Sequence, residues 1–321
     1  MKERPNPFPD KKRPDVGFDY ALEEAKRRKE YIRSVEVSQS EATWMAYGEY
    51  PHLPIGIVYL TDIHFGGAGV DYDTLTEDFE TILSTPNMFL IMGGDIIDAF
   101  SPTKHPSGMA GDIFNPDEQL EYMMDVMLGF DRRSKLGAVH LGNHDHWTDL
   151  AGYRFDRFLS ELNCPIFQGS GNLNVIVGNG EKYRIFLAHT HWGNSKINIT
   201  NSAKRALQFT SPDADIALLG HTHQASAENF VIGGKQKIAV VGGTYKVEDG
   251  WASRWGFGKA PIGGYTLMLY PNTRHMEVLR RPQTASDNII NAIRNAEEDG
   301  YVDPYTELIQ RLNARKERRG K

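Results

Sequence analysis

Cysteine is almost absent from this chain: Cys164 is the only one in 321 residues. One thiol excludes an internal disulfide framework and suits a reducing compartment. Long apolar runs are missing as well. No stretch approaches the roughly 18 residues that a membrane-spanning helix needs. Residues 1–15 are polar and proline-rich, without the apolar centre of a signal peptide. A cytoplasmic protein that does not enter a membrane is the expectation. An excess of positive charge is lacking too. Against 36 Lys and Arg stand 42 Asp and Glu, for a net charge of −6, so the body does not advertise nucleic-acid binding. Its basic residues gather instead at residues 11–13, 26–29 and 311–321. They read either as solvated helix faces and a frayed tail or as phosphate-contacting extensions. There is no internal repeat and no low-complexity tract.

What the chain does have is five short motifs in one order. They are Asp62-Ile63-His64, Gly94-Asp95, Gly142-Asn143-His144-Asp145, an isolated His189, and Gly220-His221-Thr222-His223. Each follows a short apolar run: residues 55–60, 88–92, 138–141, 185–188 and 216–219. Such runs, closed by glycine or polar residues, read as buried strands. Ligands bind at the carboxyl ends of strands in α/β sheets. The predicted class is therefore α/β, with five strands delivering Asp, His and Asn side chains to one rim.

Carboxylate, amide oxygen and neutral imidazole together suit manganese, iron or zinc. No thiolate takes part, which argues against a closed structural zinc site. Seven candidate ligands (Asp62, His64, Asp95, Asn143, His189, His221 and His223) exceed the four of a tetrahedral site. They suit two metals that share a carboxylate, and Asp95 is the natural bridge. Two metals about 3.5–4 Å apart clamp an in-line displacement at phosphorus and acidify a bridging water to hydroxide. His144 is assigned to the departing oxygen, with Asp145 expected to orient it by a hydrogen bond.

Taken in order over about residues 55–245, these motifs resemble the calcineurin-like metallophosphoesterase superfamily. The resemblance implies a four-layer αββα sandwich of two mixed β-sheets flanked by helices. It implies a first metal on Asp62, His64, Asp95 and His223, and a second on Asp95, Asn143, His189 and His221. His144 matches the catalytic histidine. A metal-dependent phosphoester hydrolase with two divalent ions follows, manganese first and iron or zinc as alternatives. Protein Ser/Thr phosphatases of the superfamily carry Arg after the Gly-Asp-x-x-Asp box and Glu in the Gly-Asn-His-Glu box. Ala99 and Asp145 stand there in this chain, which argues against that type. Residues 62–66, Asp-Ile-His-Phe-Gly, are similar to the first motif of double-strand-break repair nucleases and archaeal polymerase small subunits. Bacteriophage-encoded phosphoesterases look similar too. The leading expectation is a nuclease or phosphodiesterase acting on DNA or RNA ends or single strands. The alternative is a small-molecule phosphodiesterase or phosphatase acting on a nucleotide or cyclic nucleotide. A non-catalytic subunit that keeps the fold for interactions is a third reading, and the complete ligand set argues against it.

Neighbouring residues carry further expectations. Asp98 reads as a cap or loop hydrogen bond, and His140 as a structural histidine inside a strand. His191, two residues past His189, is a candidate for substrate phosphate. Trp147 and Trp192 read as rim packing before base stacking. Residues 248–264 hold Trp251, Arg254 and Trp255 among glycines, a candidate lid or stacking surface or a loop pinned to the body. The Met123, Met124 and Met127 stripe reads as core, and residues 201–209 and 305–315 read as helices. Residues 1–52 are expected to form an N-terminal extension with one helix (19–34) and an irregular link (35–52). Residues 53–280 would form the phosphoesterase domain, and 281–321 a helical extension with a basic tail. Its apolar stripe at Tyr305, Leu308, Ile309 and Leu312 offers a face to the body or to an oligomer partner.

Overall fold

Short, nearly unbroken Val, Ile, Leu and Met runs are the pattern of strands covered on both faces, and they form the centre of two six-stranded mixed sheets. The computed structural model describes residues 22–23, 25–27, 40–100, 111–148, 155, 159–178, 180–248 and 262–300, with backbone alone at 149–150. One sheet holds β2 (Ile55–Leu60), β3 (Met88–Met92), β4 (Leu136–His140), β5 (Ile166–Phe167), β11 (Tyr265–Leu269) and β12 (Met276–Leu279). Its order is β12-β11-β2-β3-β4-β5. The β2 to β5 strands run parallel, and β11 returns antiparallel to β2 with Leu267 opposite Ile57. The other sheet holds β1 (Glu41–Ala46), β6 (Gly171–Val177), β7 (Glu181–Leu187), β8 (Ile216–Leu219), β9 (Ser226–Ile232) and β10 (Lys235–Val241). Its order is β1-β6-β7-β8-β10-β9.

Because strand side chains alternate, each sheet feeds two cores. Ile57, Tyr59, Ile91, Val175, Ile185 and Leu218 meet between the sheets. Val58, Leu60, Leu90 and Met92 point the other way, against helices α1 (Tyr72–Ser84), α2 (Pro116–Asp131) and α5 (Pro282–Glu298). The Met123, Met124 and Met127 stripe of α2 lies in this core, as expected. On the outer face of the other sheet lies α4 (Asn201–Arg205), which continues as a π turn over Ala206–Thr210. It buries Ala203, Ala206 and Leu207 on Phe186 and Leu219. The short α3 (Asn143–Leu150) stands at the end of β4. The result is the four-layer α/β sandwich.

Three features differ from the expectations. Residues 41–46, expected to be irregular, form β1, which pairs parallel to β6. Its exposure alternates residue by residue, an edge-strand pattern only six residues long. The helix expected over 201–209 is half α and half π. The α5 helix, expected in a C-terminal extension, places Ile289 and Ile293 in the core. Both β1 and α5 are thus built into the sandwich. Residues 22–23 and 25–27 are helical; the rest of the expected 19–34 helix, the 305–315 helix and the basic tail lie outside the described residues. Among the described residues no helix is long and apolar enough to cross a membrane.

Candidate metal centre

The strand ends deliver the motif residues as expected. Asp62 stands two residues beyond β2, Asp95 three beyond β3, His189 two beyond β7 and His221 two beyond β8, while Asn143 opens α3 after β4. The backbone there is unusual. Asp62, His64, Asp95, His221 and His223 all have positive φ, between 51° and 71°. Left-handed backbone at non-glycine residues costs of order 1–3 kcal/mol each and persists only where surrounding bonds dictate it. Those bonds run between the strand ends: Asp62 N–H donates to the Gly94 carbonyl (2.9 Å) and His64 N–H to the Asp95 carbonyl (3.0 Å). Two motif glycines are explained by the same crowding. A Cβ on Gly94 would lie 2.3 Å from the Gly142 nitrogen, and one on Gly220 2.2 Å from Thr61 Oγ1.

The side chains converge in adjoining groups. Asp62, His64 and His223 form one, and Asp95, His189 and His221 another; within each, the ligand atoms lie within 4.8 Å of one another. The Nε2 atoms of His64 and His223 face each other at 3.0 Å, and His223 Nε2 is 3.3 Å from Asp62 Oδ1. Asp95 Oδ2 is 3.1 Å from His189 Nε2 and 3.9 Å from His64 Nε2. One carboxylate oxygen therefore stands between the two groups, the place of a bridge. Asp95 Oδ1 meanwhile accepts from the His144 backbone N–H (2.9 Å). The floor is buried, while His221 stands in solvent and His223 is half-buried, so the centre opens on the side of the Gly-His-x-His loop.

Asp98 does more than the loop bond expected of it. It accepts from Lys246 Nζ (2.7 and 2.9 Å) and lies 3.0 Å from His64 Nδ1. An ionised carboxylate only accepts, so His64 donates from Nδ1 and presents Nε2 to the centre. Lys246, which follows β10, carries no sequence signature; only the path of the chain brings it here. Burial opposes ionisation of Asp98, but His64 and Lys246 outweigh it and hold its carboxyl far below the usual range.

The bond expected between Asp145 and His144 is not the one the fold makes. Asp145 is buried and its oxygens accept from the backbone N–H groups of Gly142, Asp95 and Ile96 at 2.7–2.9 Å, and of Ile97 at 3.3 Å. It ties the β3 loop to the β4 loop. The carboxylate is turned to the amides of the crossing Gly-Asp loop, while His144 Nδ1 bonds the Asp98 carbonyl instead. That carbonyl also only accepts, so His144 keeps its proton on Nδ1 and a lone pair on Nε2. Its ring packs edge-on to His64 and lies 4.1 Å from Trp147, centroid to centroid. Trp147 is thus a rim-packing residue.

The donor set fits divalent cations. His189 is buried, yet neither ring nitrogen has an aligned hydrogen-bond partner among the described residues. Burial disfavours its protonation, but the Asp95 charge prevails and lifts it to about 9. Burial likewise opposes ionisation of Asp95, and the surrounding imidazoles, His189 first, hold it far below the carboxylate range. His144 goes the other way: burial and then His64 push it down to about 4. Lone pairs and negative charge directed into one small volume are what a cation satisfies.

Residues 55–225, more than half of the chain, match the family model described as calcineurin-like phosphoesterase. The chain belongs to the calcineurin-like phosphoesterases. As a member of this family it is a metal-dependent phosphoester hydrolase, and the family binds divalent metals. Solved structures similar to it include a predicted phosphoesterase from Streptococcus pneumoniae TIGR4 (14% identity, 71% of this chain and 98% of that one, TM-score 0.31). A Vps29 single mutant from Entamoeba histolytica (15%, 70% and 99%, TM-score 0.35) and TT1561 of Thermus thermophilus (10%, 71% and 99%, TM-score 0.40) are others. No curated protein matches.

Not every expected site residue joins this phosphoesterase centre. His191 has both ring nitrogens engaged, with Thr210 Oγ1 (2.8 Å) and the Trp192 carbonyl (3.1 Å). It braces a turn, and no ring nitrogen is left for a substrate phosphate. His146 Nε2 meets the Gln168 carbonyl at 3.0 Å. His140 is buried in β4, and burial holds it down at about 3, a neutral packing residue. Asn143 stays a candidate ligand, half-buried at the start of α3 directly before His144. Trp251, Arg254 and Trp255 lie outside the described residues.

Proposed function

We propose that this phosphoesterase is a two-metal phosphodiesterase that cleaves nucleic acid, at ends or in single strands. The observation that carries the two-metal reading is Asp95 Oδ2, set between His189 Nε2 and His64 Nε2, the imidazoles of two adjoining ligand groups. Asp62, His64, Asp95 and His223 would hold one ion, and Asp95, Asn143, His189 and His221 the other, with manganese the first choice. When bound, the two ions supply charge neutralisation at phosphorus and acidify water. The chain's own residues do the rest. Asp98 and Lys246 fix the His64 tautomer. Asp145 pins the two loops that carry Asp95 and Asn143. His144, beside Asp95, presents an Nε2 lone pair, which takes up a proton before it can pass one to the departing oxygen.

The support for nucleic acid is the Asp-Ile-His-Phe-Gly motif together with the exposed rings of Trp192 and Phe209 and the half-buried Arg205 on the chain that follows His189. A substrate panel on manganese-loaded protein tests the reading: a chromogenic diester, a monoester, single- and double-stranded DNA and RNA, and cyclic nucleotides. Cleavage of polynucleotides is the expected result. Turnover of nucleotides alone would replace the reading with a small-molecule phosphodiesterase.

A further inference from the structure

The chain that leaves His189 runs directly into a built platform of two aromatic side chains and one arginine. Trp192 is 55% exposed and Phe209 58% exposed, and their rings stack at 6.1 Å, 28° apart. The Arg205 guanidinium lies over Trp192 at 3.8 Å and over Phe209 at 5.7 Å. Among the described residues the Arg205 side chain forms no hydrogen bond or ion pair, and its Nε is buried without a partner. Within the described fold the guanidinium packs on the faces of the two rings.

Two bonds hold this group in place. Asn201 Nδ2 donates to the Gly193 carbonyl (2.7 Å), and His191 Nε2 meets Thr210 Oγ1. Gly193, at φ +95°, makes room: a Cβ there would lie 2.6 Å from Arg205 Cδ. The platform includes the π turn Ala206–Thr210, a distortion that often marks functional sites. Exposed apolar side chains are not scattered evenly. Of the eleven large ones in solvent among the described residues, Trp192, Ile197 and Phe209 fall within one short stretch. Trp192 is three residues beyond His189, so their Cα atoms are no more than about 11 Å apart.

We infer that Trp192, with Arg205 and Phe209, is a nucleobase-stacking subsite beside the metal centre. It takes a base of the substrate while the adjacent phosphate occupies the centre. The inference deepens the nucleic-acid reading and rests on it. The chemistry supports it: each base has a π face that an exposed indole accepts without sequence preference, and a guanidinium adds attraction for bases and phosphates.

The test compares binding of a fluorescent phosphorothioate ten-mer of thymidine with an abasic ten-mer of the same backbone, by anisotropy on the full chain. The wild type should prefer the thymidine strand by roughly fivefold to 150-fold, the range of one stacked base. W192A should bring that ratio close to one, R205A should lower it, and W192F should retain most of it. Trp192 is half in solvent, so W192A is expected to fold; thermal melting checks this, and the ring-preserving W192F controls for packing. A wild-type ratio near one, or a ratio unchanged in both W192A and R205A, overturns the subsite. Cleavage of an ordinary ten-mer, measured in parallel, separates the two readings. A responsive ratio without cleavage removes the nuclease and leaves the nucleobase site. Cleavage with an unresponsive ratio removes the site and leaves the nuclease. Competition by thymidine monophosphate distinguishes a free nucleotide from a strand as the source of the base.

Discussion

Asp95 shows how much of this site depends on single atoms. One carboxylate oxygen faces imidazoles of both ligand groups, and the other accepts the His144 N–H. Asp95→Asn replaces the shared negative oxygen with a neutral amide. We expect elemental analysis to show loss of at least one metal equivalent, and turnover to fall close to background. Two bound ions with near-normal turnover would refute the bridging role. His144 makes a different prediction, because it is placed beside the ligand groups. His144→Ala should keep its metal content and lose roughly 10²–10⁴ in turnover. The loss should be larger with an alkoxide leaving group than with p-nitrophenolate. Equal losses would leave charge stabilisation as its only contribution. Gly142 is as intolerant as any side chain here: a Cβ would sit 2.2 Å from Asp95 Oδ1. Gly142→Ala is expected to displace the bridge, which metal content reads directly.

At the scale of elements, β1 was invisible in the sequence because six residues of alternating exposure are also common in loops. Its position is set by partners elsewhere in the chain. It pairs parallel to β6, and Glu41 meets Arg184 of β7 at 2.6 Å. The Arg184 hydrogen bond, with a second from Asn174, holds Glu41 down at about 2, from 4.5. A carboxylate depressed on folding stabilises the fold above its ordinary value. That contribution fades as pH falls from about 4.5 toward 2. After correction for intrinsic exchange rates, β1 amides should lose hydrogen-exchange protection between pH 6 and pH 3 relative to β7. Glu41→Gln should remove the pH dependence. Equal wild-type protection at both pH values would show that the pair does not hold the strand.

The whole molecule combines an acidic net charge with a function proposed on a polyanion. Positive charge is concentrated at residues 311–321, which carry six Lys and Arg against one Glu. If this segment meets the nucleic-acid backbone, its contacts release counterions and make affinity fall with salt. Deleting residues 311–321 should weaken binding to single-stranded DNA and flatten the plot of log affinity against log salt. Hydrolysis of a small chromogenic diester should be unchanged. An unaltered salt slope would place the phosphate contacts elsewhere.

The sequence alone determined the α/β class, the strands before each motif and the set of candidate ligands. Those features rest on local patterns: apolar runs, the glycines that close them, and residue types with known affinity for hard and borderline cations. Tertiary structure decided how the ligands meet. The left-handed backbone at Asp62 and His64 is held by hydrogen bonds to the Gly94 and Asp95 carbonyls, between strand ends far apart in sequence. The partners of Asp98, Asp145 and His144 were set in the same way, and the bonds they form differ from those the motif spacing suggested. Lys246 and the Arg205 platform had no signature, because a lone Lys after a strand and an Arg within a short helix gain meaning only from what the fold places against them.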